Sequence, residues 1–303
     1  MTISFGFSLA PTLDLAGHLD LLAVAEAGGL DLIGIQDHPY VADYLDTFVL
    51  AATLLARSER VTVFPDVANL PLRTPAMLAK TAAALDLVSA GRFELALGAG
   101  GYWNAISRMG VPRLSAAEGL NAFEEAVTVL RGFWRGDGAP VKFAGTHYRV
   151  DGAPSGPRPA HDIGIWTGAQ GSKALAVTGR IADGWAAPIP SYLPYEKWSA
   201  SNAIIDDAAR VAGRDPRSLR RIAQIVGTIT DRPGADADVA ATEGAAPVRG
   251  DAGQWAALIE RLATEQPFTS FVFWPERQSV EQVTRFARDV VPAARALLAG
   301  HGL

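Results

Sequence analysis

His38 is the residue of this sequence best placed to move a proton. It sits in Gln36-Asp37-His38-Pro39-Tyr40, directly after a short apolar run, and none of the other four histidines ends such a run. His18 falls in a helical pattern, His147 in a hairpin pattern, His161 in a loop and His301 near the tail. An imidazole titrates near neutrality, so it can take or give a proton at physiological pH. A lone histidine is also a common core residue, and it is position that favours chemistry here. Asp66, followed by Val67, and Asn104 also fall just past apolar runs. The turn Gly168-Ala169-Gln170-Gly171-Ser172 leads into a helical pattern, so its free N–H groups can form an anion pocket suited to a phosphate. An ordinary glycine turn would read the same way. Tyr40, Trp103, Trp166, Trp185 and Trp274 cluster at or near the ends of apolar runs. Each alone is compatible with packing; together they suggest walls for a flat aromatic ligand and its substrate.

Several chemistries lack their residues. The 303-residue chain has no cysteine, which removes disulfides, thiolate metal sites and cysteine nucleophiles. A His-x-His metal pair after the first run is replaced by Ser8-Leu9-Ala10, and none of the four lysines lies in a predicted strand to form a Schiff base. No pair of acids ends the fourth and seventh runs, as a two-carboxylate glycosidase would need. Gly98-Ala99-Gly100 begins a dinucleotide fingerprint, but Trp103 stands at its third glycine. The net charge of −5 argues against a nucleic-acid surface. The apolar stretches are too short to span a membrane. Residues 1–9 run straight into a strand pattern, so neither a signal peptide nor a membrane association is expected, and a cytoplasmic location is.

The elements that must position these residues alternate. Strand-like runs fall at 3–9, 32–36, 61–67, 93–98, 163–167, 184–187, 222–229 and 270–274, with helical periods between them. Several are continuously apolar, as strands covered on both faces should be. Asp46, Thr74 with Pro75, Ser115 with Glu118 and Ser279 with Gln282 mark helix starts, and Gly91 marks a helix end. Eight strands without a dinucleotide turn after the first predict a (β/α)8 TIM barrel over residues 1–303, with chemistry at the C-terminal ends of its strands. An insertion at 100–162, holding a helix over 116–134 and a hairpin over 141–150, follows the fourth strand. A small-residue loop at 231–251 follows the seventh and reads as a lid or a mobile segment.

Five segments, in order, carry a resemblance. They are Asp31-Leu-Ile-Gly-Ile-Gln-Asp-His38, Pro75-Ala-Met-Leu-Ala-Lys80, Leu85-Asp86 with Ser89-Ala-Gly-Arg92, Leu97-Gly-Ala-Gly100 and Gly179-Arg-Ile-Ala-Asp-Gly-Trp185. Together they resemble the luciferase-like monooxygenase family, whose barrels bind FMN or the deazaflavin coenzyme F420. The resemblance implies an FMN-dependent monooxygenase using reduced flavin and oxygen. The alternatives are F420-dependent hydride transfer and a flavin-binding protein without turnover. It places His38 at the reactive face of the ring, Asp66 and Val67 at a non-proline cis bulge beneath it, Asn104 near the ring or ribityl chain, and residues 168–172 at the phosphate. It also implies a small-molecule substrate, a separate flavin reductase and a homodimer. Asp86, Arg92 and Glu94 fit the pattern too, as charge pairs at the opposite end of the barrel. Gly101 stands where alcohol-oxidising deazaflavin members carry a glutamate, and Ala42 near where they carry an aromatic.

Overall fold

A computed structural model describes residues 3–234 and 244–303. Its strands are β1 (Ser4–Leu9), β2 (Leu32–Ile35), β3 (Thr62–Pro65), β4 (Ala68–Asn69), β5 (Leu95–Gly98), β6 (Pro140–Ala144), β7 (Arg149–Pro154), β8 (Ile165–Thr167), β9 (Gly184–Ala186), β10 (Arg220–Ile229), β11 (Val248–Gly250) and β12 (Ser270–Pro275). All but the hairpin β6–β7 belong to one parallel sheet, ordered β3-β2-β1-β12-β10-β9-β8-β5-β4. The sheet closes because β3 and β4 are two pieces of one barrel strand. Val63 bridges to Phe93, and Ala68 and Asn69 pair with Leu97 and Gly98. Counting them as one gives the eight strands of a TIM barrel, each predicted run holding one. Between the two pieces the peptide Asp66-Val67 is cis.

The helices are α1 (Leu15–Gly28), α2 (Thr47–Leu55), α3 (Pro75–Val88), α4 (Trp103–Ile106), α5 (Ala116–Trp134), α6 (Ser172–Ile181), α7 (Trp198–Val211), α8 (Ala252–Glu265), α9 (Val280–Arg285) and α10 (Val291–Ala299). Their starts follow local chemistry. Asp46 accepts from the backbone N–H groups of Phe48 and Val49, and Ser115 forms a full capping box with Glu118. Ser279 caps α9 through the N–H of Gln282, but the Gln282 side chain turns to the Ile229 backbone, so the box is half-made. None of the described helices is long and apolar enough to cross a membrane.

The core lies in two shells. Phe5, Phe7, Ile33, Ile35, Trp185, Phe271 and Phe273 point outward from the strands and pack under the helices. Leu32, Phe64, Ala96, Trp166, Ala186, Ile222 and Val272 point inward and fill the barrel. Burying such a side chain completely contributes about 1.5–3 kcal/mol, so the inner layer adds to the outer one in holding the strands together. The region read as a lid over 231–251 falls partly outside the described residues. Within them it includes β11, an extra strand parallel to β10 that its small-residue composition hid.

Candidate active site at the C-terminal mouth

Side chains on a strand alternate, so the residue two positions beyond each inward one also points inward. Beyond the apolar inner layer those residues are Gly34, Asp66, Gly98, Gly168, Pro188, Gln224 and Trp274, with Ser8 two beyond Gly6 on β1. The interior thus changes within one step from a packed apolar plug to a layer of glycines and polar groups. Three of the glycines leave space that the neighbouring chain uses. A Cβ on Gly34 would lie 2.9 Å from the Asp66 carboxylate. Cβ atoms on Gly98 and Gly168 would lie 2.8 and 3.2 Å from the Val67 side chain. Val67 therefore lies directly over these two strands, and Asp66 turns back over Gly34.

Ser8 Oγ, Asp66 Oδ2, Gln224 Oε1 and Trp274 Nε1 are buried without a hydrogen-bond partner. Each such group costs about 1–3 kcal/mol, so four in one layer are an unusual expense for a core. Burial pushes the Asp66 carboxyl up to about 7, against the opposing pull of Ser8 and Gln224 nearby. Those two are near enough to act on it, but neither makes a well-formed hydrogen bond to it.

His38 is half-buried above this layer. Its Nδ1 lies 2.7 Å from the Tyr40 hydroxyl, and Nε2 has no partner among the described residues. Burial holds its pKa below the ordinary 6.5, with Asp37 opposing, so the ring is neutral at pH 7. In the tautomer that donates Nδ1–H to Tyr40, Nε2 can accept a proton; in the other, Nε2–H can donate a hydrogen bond. The loop that carries it is fixed from behind. The Asp37 carboxylate takes the Asn69 N–H at 2.8 Å and two bonds from Arg73, at 3.0 and 2.8 Å. Arg73 also pairs with Asp46 at 2.8 Å and lies over the Phe48 ring.

Three phenols complete the rim. The Tyr102 ring stands edge-on to His38 at 5.9 Å and Tyr40 lies 6.1 Å from Tyr102. The Tyr102 and Tyr192 hydroxyls are hydrogen-bonded to each other. Burial, then Tyr102 and Asp37, pushes Tyr40 up to about 12, so it is a neutral phenol. Tyr102 and Tyr192 are 48% and 45% exposed, apolar surface that a ligand would cover. Sequence reasoning singled out neither. Tyr102 follows the glycines after β5, and Tyr192 lies in the proline-rich loop after β9, where an exposed aromatic was the available signal.

The turn at 168–172 leads into α6, whose N-cap is Gly171 and which has no side-chain cap. The first backbone bond of the helix comes from Leu175 to Gly171, which leaves the N–H groups of Ser172, Lys173 and Ala174 unpaired. Ala169 is buried, whereas Gln170, Gly171 and Ser172 are exposed.

The four tryptophans are not brought together. Trp185 points outward, stacks on Phe268 and donates its indole N–H to the Ala169 carbonyl at 3.0 Å, so it braces the turn from outside the barrel. Trp166 points inward but belongs to the apolar plug, edge-on to Phe64 with Arg220 over its face. Trp103 packs near Gly100 and Gly119 of α5. Only Trp274 sits in the polar layer, packed against the inner cluster that also contacts Val67. Asn104 is exposed and accepts from Arg113 at 2.7 Å. Among the described residues no cluster of His, Asp and Glu could hold a metal.

The residues fit a flat, phosphate-bearing cofactor: a glycine floor beneath Val67, unpartnered buried polar atoms at one side and an open helix N-terminus at the other. Comparison with known proteins bears on which. A family model described as luciferase-like monooxygenase matches residues 3–272. An F420-dependent glucose-6-phosphate dehydrogenase from Microbacterium testaceum is 30% identical over 194 residues, 61% of this chain and 57% of that protein. The chain spans about half the length of the curated relatives it matches. Among solved structures, an F420-dependent secondary alcohol dehydrogenase in complex with an F420-acetone adduct superposes with a TM-score of 0.81 at 21% identity, covering 97% of this chain and 100% of that one. The monooxygenase RslO1 from Streptomyces bottropensis gives 0.77 at 20% identity, covering 96% and 99%.

Proposed function

Because the chain belongs to the luciferase-like monooxygenase family, we propose that it is an oxidoreductase that binds coenzyme F420 at the C-terminal mouth and interconverts a small alcohol and its carbonyl form. The observation that carries this reading is the neutral His38, held through Nδ1 by Tyr40 with Nε2 unpartnered. The F420-dependent relatives support the choice of coenzyme over the FMN that the sequence resemblance put first. Bound there, such a coenzyme accepts or returns a hydride at its ring carbon. The protein's own part is proton handling and positioning. His38 takes the hydroxyl proton at Nε2 in one direction, becoming imidazolium, and the imidazolium gives that proton back in the other. Tyr40 keeps the imidazole oriented. Tyr102 and Tyr192 cover the substrate and exclude water. The N–H groups at the start of α6 hold the phosphate of the coenzyme side chain, and Val67 supports the ring.

A second reading, an FMN monooxygenase, is favoured by one feature: Gly101 offers no carboxylate beside the rim. Titration separates the two. F420 should quench protein fluorescence at lower concentration than FMN, and anaerobic incubation with a panel of secondary alcohols should bleach the oxidised F420 absorbance. Tight FMN binding with oxygen uptake, and no bleaching of F420, would overturn the F420 reading in favour of the second.

A further inference from the structure

Four buried polar atoms in the barrel mouth lack partners, and they come from different strands: Ser8 on β1, Asp66 after β3, Gln224 on β10 and Trp274 on β12. Ser8 and Gln224 are 3% exposed and Asp66 is 7% exposed, so bulk water does not satisfy them. Strand register places them within two residues of one another along the strands. Ser8 pairs with Gly34, over which the Asp66 carboxylate lies, and Gln224 pairs with Val272, two residues below Trp274. As hydrogen-bonding groups they differ usefully. Trp274 Nε1–H can only donate, Gln224 Oε1 can only accept, Ser8 can do either, and Asp66 Oδ2 offers lone pairs.

Their place relative to the helix start adds the second half. α6 follows β8, the fifth barrel strand, and the strand order sets β1, the first, across the barrel from it. A flat ring anchored by a phosphate chain at α6 and lying on Val67 would extend toward β1, β10 and β12. Both isoalloxazine and deazaisoalloxazine end in the same imide edge, a carbonyl, an N–H and a second carbonyl. That acceptor–donor–acceptor edge matches a site with donors flanking an acceptor.

We propose that Ser8, Asp66, Gln224 and Trp274 form the recognition site for this imide edge, with Asp66 accepting the ring N3–H and Ser8 and Trp274 donating to the carbonyls beside it. Gln224 Oε1 supplies a further acceptor beside Asp66. This rests on the reading that the mouth binds a flavin-type ring, but it holds for FMN and F420 alike. It also explains why an aspartate stands at the bulge, since a buried carboxyl with no permanent partner is otherwise only a cost.

The test compares rings that differ at one atom. FMN and N3-methyl-FMN, and 8-hydroxy-5-deazariboflavin and its N3-methyl form, are titrated against the wild-type protein by fluorescence quenching. Methylation should weaken whichever parent ring binds by tenfold or more, because it removes the donor and leaves a buried acceptor unpaired. In Asp66→Ala the penalty should fall below about twofold while the parent ring itself weakens. Trp274→Phe should weaken both forms equally. Equal affinity of the parent and methylated rings for the wild type overturns the proposal, and so does a methyl penalty that survives Asp66→Ala. Failure of both parent rings to bind overturns the cofactor reading itself, a different and recognisable result. Should Asp66→Ala not fold, the wild-type comparison still decides.

Discussion

Asp86 and Asp66 are both buried carboxyls in the same barrel, and they are treated in opposite ways. At the N-terminal end, Asp86 accepts the His161 backbone N–H at 3.1 Å and its ring Nδ1 at 2.7 Å. Glu94 completes the pairing, 3.6 Å from the other ring nitrogen of His161, and also takes the Gly164 N–H. Arg92, expected to share in this charge pairing, instead donates to the carbonyls of Leu55, Ser58, Val61 and Ser89 and to the Ser58 hydroxyl. Three arginines of the broad cleft on that face are paired as well, Arg131 and Arg214 with Asp183 and Arg180 with Glu124. At the C-terminal end, Asp66 Oδ2, Ser8 Oγ, Gln224 Oε1 and Trp274 Nε1 are buried without hydrogen-bond partners. One end uses polar groups to hold the barrel together. The other keeps them available at a cost in stability, as a site that must bind something does.

The largest effect expected from this contrast is a dependence of stability on pH. Asp66 stays protonated in the fold to about 7, whereas its ordinary value is 3.8. Ser8 and Gln224 are the groups that act on it, and no charged side chain contributes. Its contribution to stability is therefore complete below pH 3.8 and is lost as pH rises through about 7. At about 1.4 kcal/mol per pH unit the loss approaches about 4 kcal/mol. Between pH 5 and pH 8, which spans the upper two units of this window, urea unfolding should show a loss of about 3 kcal/mol for the wild type and none from this source for Asp66→Asn. An equal slope in both would remove Asp66 as the source.

Next is Arg73→Ala, which strips the buried Asp37 of its ion-pair partner and should cost about 3 kcal/mol. Loosening the residue beside His38 should lower turnover as well. A variant unfolding at the wild-type denaturant midpoint would show that the loop is held by other means.

A smaller effect with the same sign as the Asp66 one belongs to the N-terminal end. Glu94 and Asp86 raise His161 to about 9 despite partial burial. The stabilisation is complete below pH 6.5 and is lost as pH rises through about 9. With the ring a third exposed, solvent screening reduces this to about 1–2 kcal/mol. His161→Ala should lower the melting temperature at pH 6 and much less at pH 10, with activity per folded molecule unchanged. Lost activity in a fully folded variant would mean that the N-terminal end is not purely structural.

The contrast also shows what the sequence could carry. All eight barrel strands were legible because continuous apolar runs separated by capped helices leave few other folds. The position of His38 past the second run and the glycine turn before α6 were legible as well. The face each strand residue occupies was not. Gly184-Trp185-Ala186 is a three-residue strand buried on both sides, so nothing in its pattern says that Trp185 points outward while Ala186 points in. The same ambiguity put Trp166 at the rim when it belongs to the plug. Ser8, Gln224 and Trp274 become a group only once strand parity is known, which is why they escaped notice as one. Arg73 was hidden for another reason: its partner, Asp37, lies 36 residues away.

The division of labour between the two ends is tested most directly by His38→Ala, assayed with F420 and an alcohol substrate from the panel on the same preparation used for thermal denaturation. Chemistry at the mouth predicts a fall in turnover of about 100-fold or more, the usual scale for losing an acid–base group, with folding and F420 affinity close to wild type. Because burial keeps His38 neutral, wild-type turnover should fall only at pH values below the ordinary histidine range, and that acid limb should vanish with the imidazole. A variant that melts at a clearly lower temperature yet turns over at the wild-type rate per folded molecule would contradict the account, making His38 one more packed residue of the barrel.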